Sequence, residues 1–127
     1  MRRALILIIT LTLLTFGCGL WLDDLQKDTA FRYLEGIETI RQAVKDNRMD
    51  AARREQAYWH AMWQHDSDWL NCLISHHHTR NVNAGMMALA TALEMEWQVE
   101  SMQAIDETAD ALQEIAYSNL PLWENIL

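Results

Sequence analysis

The chain has 127 residues, a formal net charge of −8 at pH 7, one proline and four glycines, and half of its residues are apolar. The length allows one domain. The small number of turn-forming residues argues against an all-β fold, and the negative charge argues against nucleic-acid binding. We therefore predict an all-α protein. An N-terminal transmembrane helix should continue into an antiparallel helical-hairpin bundle of about four helices.

Residues 1–22 have the pattern of a membrane anchor. Two arginines precede a run from Ala4 to Leu22 that contains no charged residue, and two aspartates end it. As a helix this run spans ~29 Å, which matches the hydrocarbon thickness of a bilayer. The positive-inside rule keeps the arginines in the cytoplasm. We therefore expect a single-pass protein of the cell membrane whose helical domain, residues 23–127, is extracytoplasmic.

Three interpretations of this anchor stay open. We favour an uncleaved signal anchor. A lipoprotein signal, cut before Cys18 so that this cysteine carries lipid, is the second interpretation, and a secretory signal that is cleaved and lost is the third. The residues before Cys18 match a lipobox only in part. Cys72 lies in the domain, so we expect no disulfide with Cys18 and interpret Cys72 as a small buried residue.

The first helix is expected to run past the membrane segment without a break. Beyond Leu22 the apolar residues keep helical spacing as far as about Lys45. Residues 46–48 then predict a turn, and Asp50 is a candidate N-cap for the next helix.

Three further helices follow in the domain. The second is expected from Ala51 to about Ile74, and the third begins behind a candidate N-cap at Ser75. The pattern resets at residues 94–96, where a fourth helix begins and then continues to residues 117–119, before a proline. The apolar tail, residues 120–127, is expected to dock against the bundle.

The ends of the first and third helices resemble each other. Residues 43–52 and 92–100 each contain an apolar helix end, a few charged residues and a new amphipathic start. This likeness predicts two stacked helical hairpins, similar in style to tetratricopeptide repeats.

Charge divides the chain unevenly. Residues 1–54 carry nine basic and seven acidic residues, a net charge of +2, whereas residues 55–127 carry one basic residue, Arg80, and eleven acidic ones, a net charge of −10. The acidic half argues against lying on an anionic membrane surface and permits a basic protein partner or loosely held cations. A solvated helix face is the simplest interpretation.

Candidate metal ligands are the consecutive histidines His76, His77 and His78. Three imidazoles can bind zinc, copper or nickel. Adjacent helical residues point ~100° apart, however, so the triplet can converge on one ion only where the backbone unwinds. A polar helix junction with one histidine packed or capping is the preferred interpretation. Metal binding or metal sensing outside the cytoplasm is the alternative function, and no cofactor is predicted.

Candidate partner-binding residues are three tryptophans on the second helix, Trp59, Trp63 and Trp69. Filling the core is the simpler interpretation, and a partly exposed aromatic groove that grips a peptide or a membrane protein is the functional one. Nucleophile elbows, phosphate loops and glycine-rich turns are absent from the sequence, so we expect neither an enzyme nor a small-molecule substrate.

Together these features resemble an uncharacterised bacterial family, domain of unknown function 4363. The resemblance rests on Arg2-Arg3, Ala51-Ala52, Trp63, Trp69-Leu70, Leu73-Ile74 with His76, and Glu124-Asn125-Ile126-Leu127. The chain departs from the family pattern at the histidine triplet, Asn81, Asn83 and Cys18. The resemblance implies no known activity, and it implies a role beside multi-spanning membrane proteins.

We therefore predict a membrane-anchored, non-enzymatic helical interaction or accessory protein. Its expected partner is an integral membrane protein or a second copy of the chain. A phage-type envelope or lysis accessory protein is a further alternative, beside the metal-binding one.

Overall fold

The computed structural model describes residues 1–117, which form four helices: α1 (Arg2–Lys45), α2 (Met49–Leu70), α3 (His76–Glu94) and α4 (Gln98–Tyr117). Strands do not occur in this part of the chain. The predicted all-α class and its four helices are confirmed. The expected docking of residues 120–127, and the terminal motif used for the family resemblance, lie outside the described residues.

Helix α1 is one unbroken helix of 44 residues, as the apolar spacing predicted. Residues 1–21 are all exposed, and Gln26 is the first residue of α1 that is buried against the other helices. An 18-residue window of α1 has a mean hydropathy of 2.3, and none of that window is buried in the protein. The first part of α1 thus projects ~30 Å beyond the bundle, and it is long and apolar enough to span a membrane.

The bundle is closed, because each helix packs against two neighbours. Helix α1 contacts α2 and α4, and α3 contacts α2 and α4. The Gln26 side-chain amide donates to the Ile115 carbonyl at 2.7 Å, while that of Gln98 donates to the Val44 carbonyl at 3.4 Å, so α1 and α4 run antiparallel. The core between the four helices includes Ile37, Ile40, Trp63, Leu70, Met86, Leu89, Leu93, Ile105, Leu112 and Ile115.

The two hairpins are copies of one arrangement. Gly36 in α1 and Gly85 in α3 stand 49 residues apart, and each faces the next helix of its own hairpin, at Trp59 and Thr108, which are also 49 residues apart. Each of the seven buried residues of α3 lies 49 positions after a buried residue of α1. The predicted likeness of the hairpins therefore extends from their turns to their packing faces.

The two matching turns use one backbone geometry. Asn47 and Glu96 have positive φ angles of 59° and 58°. In each turn the following residue donates its N–H to the carbonyl five residues back, at 2.8 and 2.9 Å. This is the Schellman arrangement, in which a left-handed residue closes the end of a helix. The turn predicted at residues 46–48 is confirmed.

The start of α2 differs from the expectation. Arg48 is the N-cap and Asp50 lies within the first turn, so the assignment of Asp50 as N-cap is wrong. Its carboxylate pairs there with Arg53. An acidic side chain is favoured in the first turn because the N-terminal end of a helix carries partial positive charge.

The end of α2 also differs. The helix stops at Leu70, and residues 71–75 form a turn in which the N–H groups of Cys72 and Leu73 bond three residues back. Cys72 is exposed in this turn, so its interpretation as a buried residue is wrong. Ser75 is confirmed as the N-cap of α3, because its hydroxyl accepts the N–H of His77 at 3.3 Å.

Candidate functional site

The three candidate tryptophans lie mainly at the contact between α1 and α2. The Tyr33 ring of α1 meets Trp59 and Trp63 edge to face, with ring centroids 5.5 and 5.2 Å apart. Trp63 is only 1 % exposed, whereas Trp59 and Trp69 are partly buried. The cluster joins the two helices, and Trp63 offers no surface to a partner in this arrangement. Partner binding by these residues stays a prediction.

A polar contact closes the same interface. The Tyr33 hydroxyl donates to the Asp66 carboxylate at 2.7 Å, the Trp69 indole N–H donates to its other oxygen at 3.3 Å, and Arg32 lies 3.4 Å away. Burial, together with the hydrogen bond and charge of Asp66, raises the pKa of Tyr33 well above its ordinary range. The hydroxyl therefore remains a donor, and its role is to join helices.

The histidine triplet forms the first turn of α3. His78 faces Glu114 of α4 at 3.7 Å, and His77 approaches Asn81 at 3.3 Å. His76 and His77 are exposed. Within residues 1–117 no three His, Cys, Asp or Glu side chains are close enough to hold one metal ion. The metal-binding hypothesis gains no support from this geometry, because the helix is regular where unwinding was required.

A polar cavity of about 210 Å³ opens between α2 and α3. It is lined by Trp63, Ser67, Asn71, His76, Thr79, Arg80 and Asn83. The Trp63 indole N–H is buried and has no hydrogen-bond partner among the described residues. The sequence analysis singled out three of these residues for separate reasons: Trp63 in the tryptophan cluster, His76 in the histidine triplet and Arg80 as the single basic residue of the acidic half. It did not predict that they line one cavity.

An acidic groove of about 380 Å³ lies between α3 and α4, near the turn that joins them. Three alanines, Ala88, Ala92 and Ala104, line it together with Thr91 and Gln103, and Trp97, Glu100 and Glu107 add an aromatic ring and two carboxylates. Trp97 is 51 % exposed. The sequence interpretation missed Trp97 because it lies outside the tryptophan cluster of α2. Its position after the left-handed residue of the second turn is the signal that could have found it.

The two ends of the bundle differ in their relation to the hydrophobic part of α1. Antiparallel pairing places the α2–α3 turn, and the cavity beside it, at the end where that part of α1 leaves the bundle. The α1–α2 and α3–α4 turns, with the acidic groove, lie at the opposite end. In a membrane-inserted protein the cavity is therefore close to the bilayer and the groove is remote from it.

The threonine side chains in the exposed part of α1 are hydrogen-bonded within the helix, so they are also compatible with a lipid environment. The hydroxyls of Thr10, Thr12 and Thr15 each donate to the carbonyl four residues back, at 2.8 Å. No hydroxyl donor of these three is then left for hydrocarbon to desolvate. Cys18 is an exposed free thiol on the same stretch, and its lipidation stays a prediction.

Comparison with known proteins identifies a family. The family model described as Domain of unknown function (DUF4363) matches residues 22–126, as the resemblance of the sequence predicted. The match includes the cavity, the groove and all of the bundle. Neither a curated protein nor a solved structure matches the chain.

Proposed function

The chain belongs to the family Domain of unknown function (DUF4363), and from that premise we propose that it is a membrane-anchored, non-enzymatic domain that binds a basic extracytoplasmic segment of an integral membrane protein. The observation that carries this proposal is the continuity of α1. One helix supplies both the apolar segment and a quarter of the bundle, so the domain has no flexible linker to its anchor.

Anchoring is supported by the exposure of the apolar segment. Large side chains such as Leu5, Phe16 and Trp21 are more than half exposed on α1. Each apolar side chain moved from water into lipid contributes roughly 1.5–3 kcal/mol, so nineteen uncharged residues strongly favour insertion. Trp21 at the end of the run suits the membrane–water interface, and the two N-terminal arginines favour a cytoplasmic N-terminus.

A helical connection restricts where the domain can meet a partner. Because α1 is continuous, the height and rotation of the bundle follow from the depth and rotation of the membrane segment. A partner that shares the membrane then meets one particular face of the bundle. Holding a domain in this way lowers the orientational cost of binding.

The acidic groove is the surface that suits a basic partner. Trp97 offers an exposed ring face and Glu100 and Glu107 offer carboxylates, which together favour a lysine or arginine side chain. Neither glutamate forms an ion pair within residues 1–117, whereas Asp106 of the same helix is bound to Arg41 at 2.5 Å. The groove therefore has unneutralised charge for a partner to meet.

A non-enzymatic role agrees with where the shifted titratable groups lie. Burial is the largest influence on the pKa of Tyr33 and raises it, and the contact with Asp66 adds to the increase. Burial lowers the pKa of Arg41, but its contacts with Asp106 and Glu38 outweigh that effect and raise the pKa. Each joins two helices, Tyr33 at Asp66 and Arg41 at Asp106. Shifts of this kind stabilise packing and need no catalytic explanation.

The test uses the full chain in native membranes, with a photo-crosslinking residue at position 97. We expect a crosslinked integral membrane protein that resists alkaline carbonate extraction together with this chain. A matched probe at Tyr58, an exposed aromatic position on α2, should give no such adduct.

Charge reversal supplies the matched control. The double variant Glu100→Lys and Glu107→Lys should lose the adduct, whereas Glu94→Lys with Asp110→Lys, two exposed carboxylates that do not line the groove, should retain it. Release of the wild-type chain by carbonate would contradict membrane anchoring by α1. Equal crosslinking by both double variants would contradict partner binding at the acidic groove.

A further inference from the structure

We propose that the cavity between α2 and α3 binds a phosphate-type oxyanion at the membrane-facing end of the bundle. This inference concerns a different surface from the acidic groove and a different class of ligand. It depends on the donor groups that line the cavity and on its place relative to the hydrophobic segment.

The cavity collects hydrogen-bond donors. The Trp63 indole N–H is a donor only, it is buried, and it has no partner among the described residues. A buried donor without an acceptor is unfavourable, so a ligand oxygen beside it would be favoured. The Asn71 carbonyl oxygen accepts the buried Thr79 hydroxyl, which orients the amide and leaves its NH₂ group as a further donor.

Positive charge is present at the same place. Arg80 is the single Lys or Arg of residues 55–127, it is exposed, and it forms no ion pair within the described part of the chain. His76 lies beside it at the first turn of α3, where the helix dipole favours an anion. Because Arg80 is unpaired and lines a cavity that collects other donors, its guanidinium is available to an anionic ligand there.

The nearby acidic groups are turned to other partners. Asp66 of α2 accepts from Tyr33 and Trp69 and faces Arg32. Asp68 is exposed and does not line the cavity, and Glu114 of α4 faces His78. Among residues 1–117 the lining contains no carboxylate. Several donors, one guanidinium and no acidic group are the combination that a phosphate, with its several acceptor oxygens, requires.

The position of the cavity suits a lipid headgroup. Asp66 meets Tyr33, which lies ~16 Å along α1 from Leu22, and Asn71 lies ~8 Å back towards the membrane along antiparallel α2. The polar layer on each side of the hydrocarbon is ~5–8 Å thick. The rim of the cavity at Asn71 and His76 therefore lies ~8 Å beyond Leu22, at the outer edge of the headgroup layer. The same donors would also bind free phosphate.

The experiment observes the Trp63 indole N–H directly, by two-dimensional ¹H–¹⁵N spectroscopy of the full chain. One sample series contains the protein in neutral detergent micelles titrated with inorganic phosphate. The other contains it in nanodiscs of phosphatidylcholine alone or with added phosphatidylglycerol. We expect the Trp63 resonance to shift downfield, with saturation, when an acceptor oxygen binds.

Two variants of equal charge change make the result specific. Arg80→Gln should weaken binding about tenfold or more, whereas Arg54→Gln, an exposed arginine outside the cavity, should leave it within about twofold. A shift with phosphatidylglycerol alone assigns a lipid headgroup, and a shift with phosphate alone assigns a soluble phosphate ligand. Both outcomes support the oxyanion site.

The proposal is overturned when neither probe moves the Trp63 resonance of the wild-type protein, or when Arg54→Gln weakens binding as much as Arg80→Gln. Its failure is separable from that of the proposed function, because crosslinking at Trp97 reports on the opposite end of the bundle. Arg80→Gln is expected to leave that crosslink unchanged.

Discussion

The indole of Trp59 lies directly against the backbone of Gly36, so close that a Cβ atom on residue 36 would overlap the ring. The contact lets α1 and α2 approach each other beside the Tyr33 cluster. Its counterpart in the second hairpin is the contact of Thr108 with Gly85. Two glycines inside helices, each at some cost to helix propensity, are thereby explained by close helix packing.

Replacing Gly36 by alanine should destabilise the bundle. The methyl group would displace the Trp59 indole, and forced shifts of this kind cost roughly 1–3 kcal/mol in a packed site. Gly19→Ala is the matched control, since nothing lies within 4 Å of its new methyl group. Thermal unfolding followed by circular dichroism should show a lower Tm for Gly36→Ala only. Equal Tm values for the two variants would contradict the contact.

Gly85→Ala should be destabilising for the same reason and should be rescued by a second change. Its methyl group would overlap the Thr108 side chain, whose hydroxyl bonds to the Ala104 carbonyl at 2.7 Å. Thr108→Ala removes the overlapping hydroxyl group, so the double variant should recover about 1 kcal/mol or more relative to Gly85→Ala. Additive losses in a double-mutant cycle would show that the two residues are not in contact.

Alkaline pH should weaken the α1–α2 interface through Tyr33. Its pKa is raised in the folded protein from the ordinary value of 10.0, so the folded state holds the proton more tightly than the unfolded state. This contribution is complete below about pH 10 and is lost as the pH rises above it. Denaturant unfolding across that range should show a smaller alkaline loss for Tyr33→Phe. An identical pH profile in both proteins would refute the assignment.

The Tyr33→Phe variant should itself be less stable at neutral pH. It removes a donor from the partly buried Asp66 carboxylate, which costs about 1–3 kcal/mol. The alkaline comparison is therefore made on the change in unfolding free energy with pH, measured separately for each protein.

Inserting alanines into α1 tests whether the domain is held in a set orientation. Two alanines between Asp23 and Asp24 rotate the bundle by roughly 200° about the helix, whereas four rotate it by roughly 40° beyond a full turn. Both lie before Gln26, where burial in the bundle becomes complete, so the fold should persist. We expect the two-residue insertion to abolish crosslinking at Trp97 and the four-residue insertion to retain part of it. Equal crosslinking would mean that orientation does not matter.

Intact mass distinguishes the three interpretations of the anchor. We expect the membrane-extracted protein to have the full-chain mass of 14.8 kDa, because the signal-anchor interpretation leaves it uncleaved. Cys18→Ser should then remain in the membrane fraction. A shorter chain beginning at a lipid-modified Cys18 would replace the protein anchor by a lipid one, and a shorter unmodified chain would indicate full release.

Much of the fold was predictable from the sequence, because the relevant signals are local. An uncharged apolar run followed by apolar residues at helical spacing predicts α1 as far as Lys45. The serine at position 75, before the third apolar pattern, predicts the N-cap of α3. The likeness of the two turns predicted the two hairpins. These features depend on residues a few positions apart, which one helix or turn brings together without help from the rest of the chain.

Other features required the tertiary structure. The sequence places Trp59 and Trp63, four residues apart, on one stripe of α2, but only the packing of α1 across α2 buries Trp63 completely and leaves Trp59 at the edge. Trp63, Arg80 and Asn71 line one cavity because α2 and α3 run antiparallel past each other. Periodicity reports which side of a helix is apolar, whereas the neighbour that covers that side is decided by contacts between residues distant in the chain.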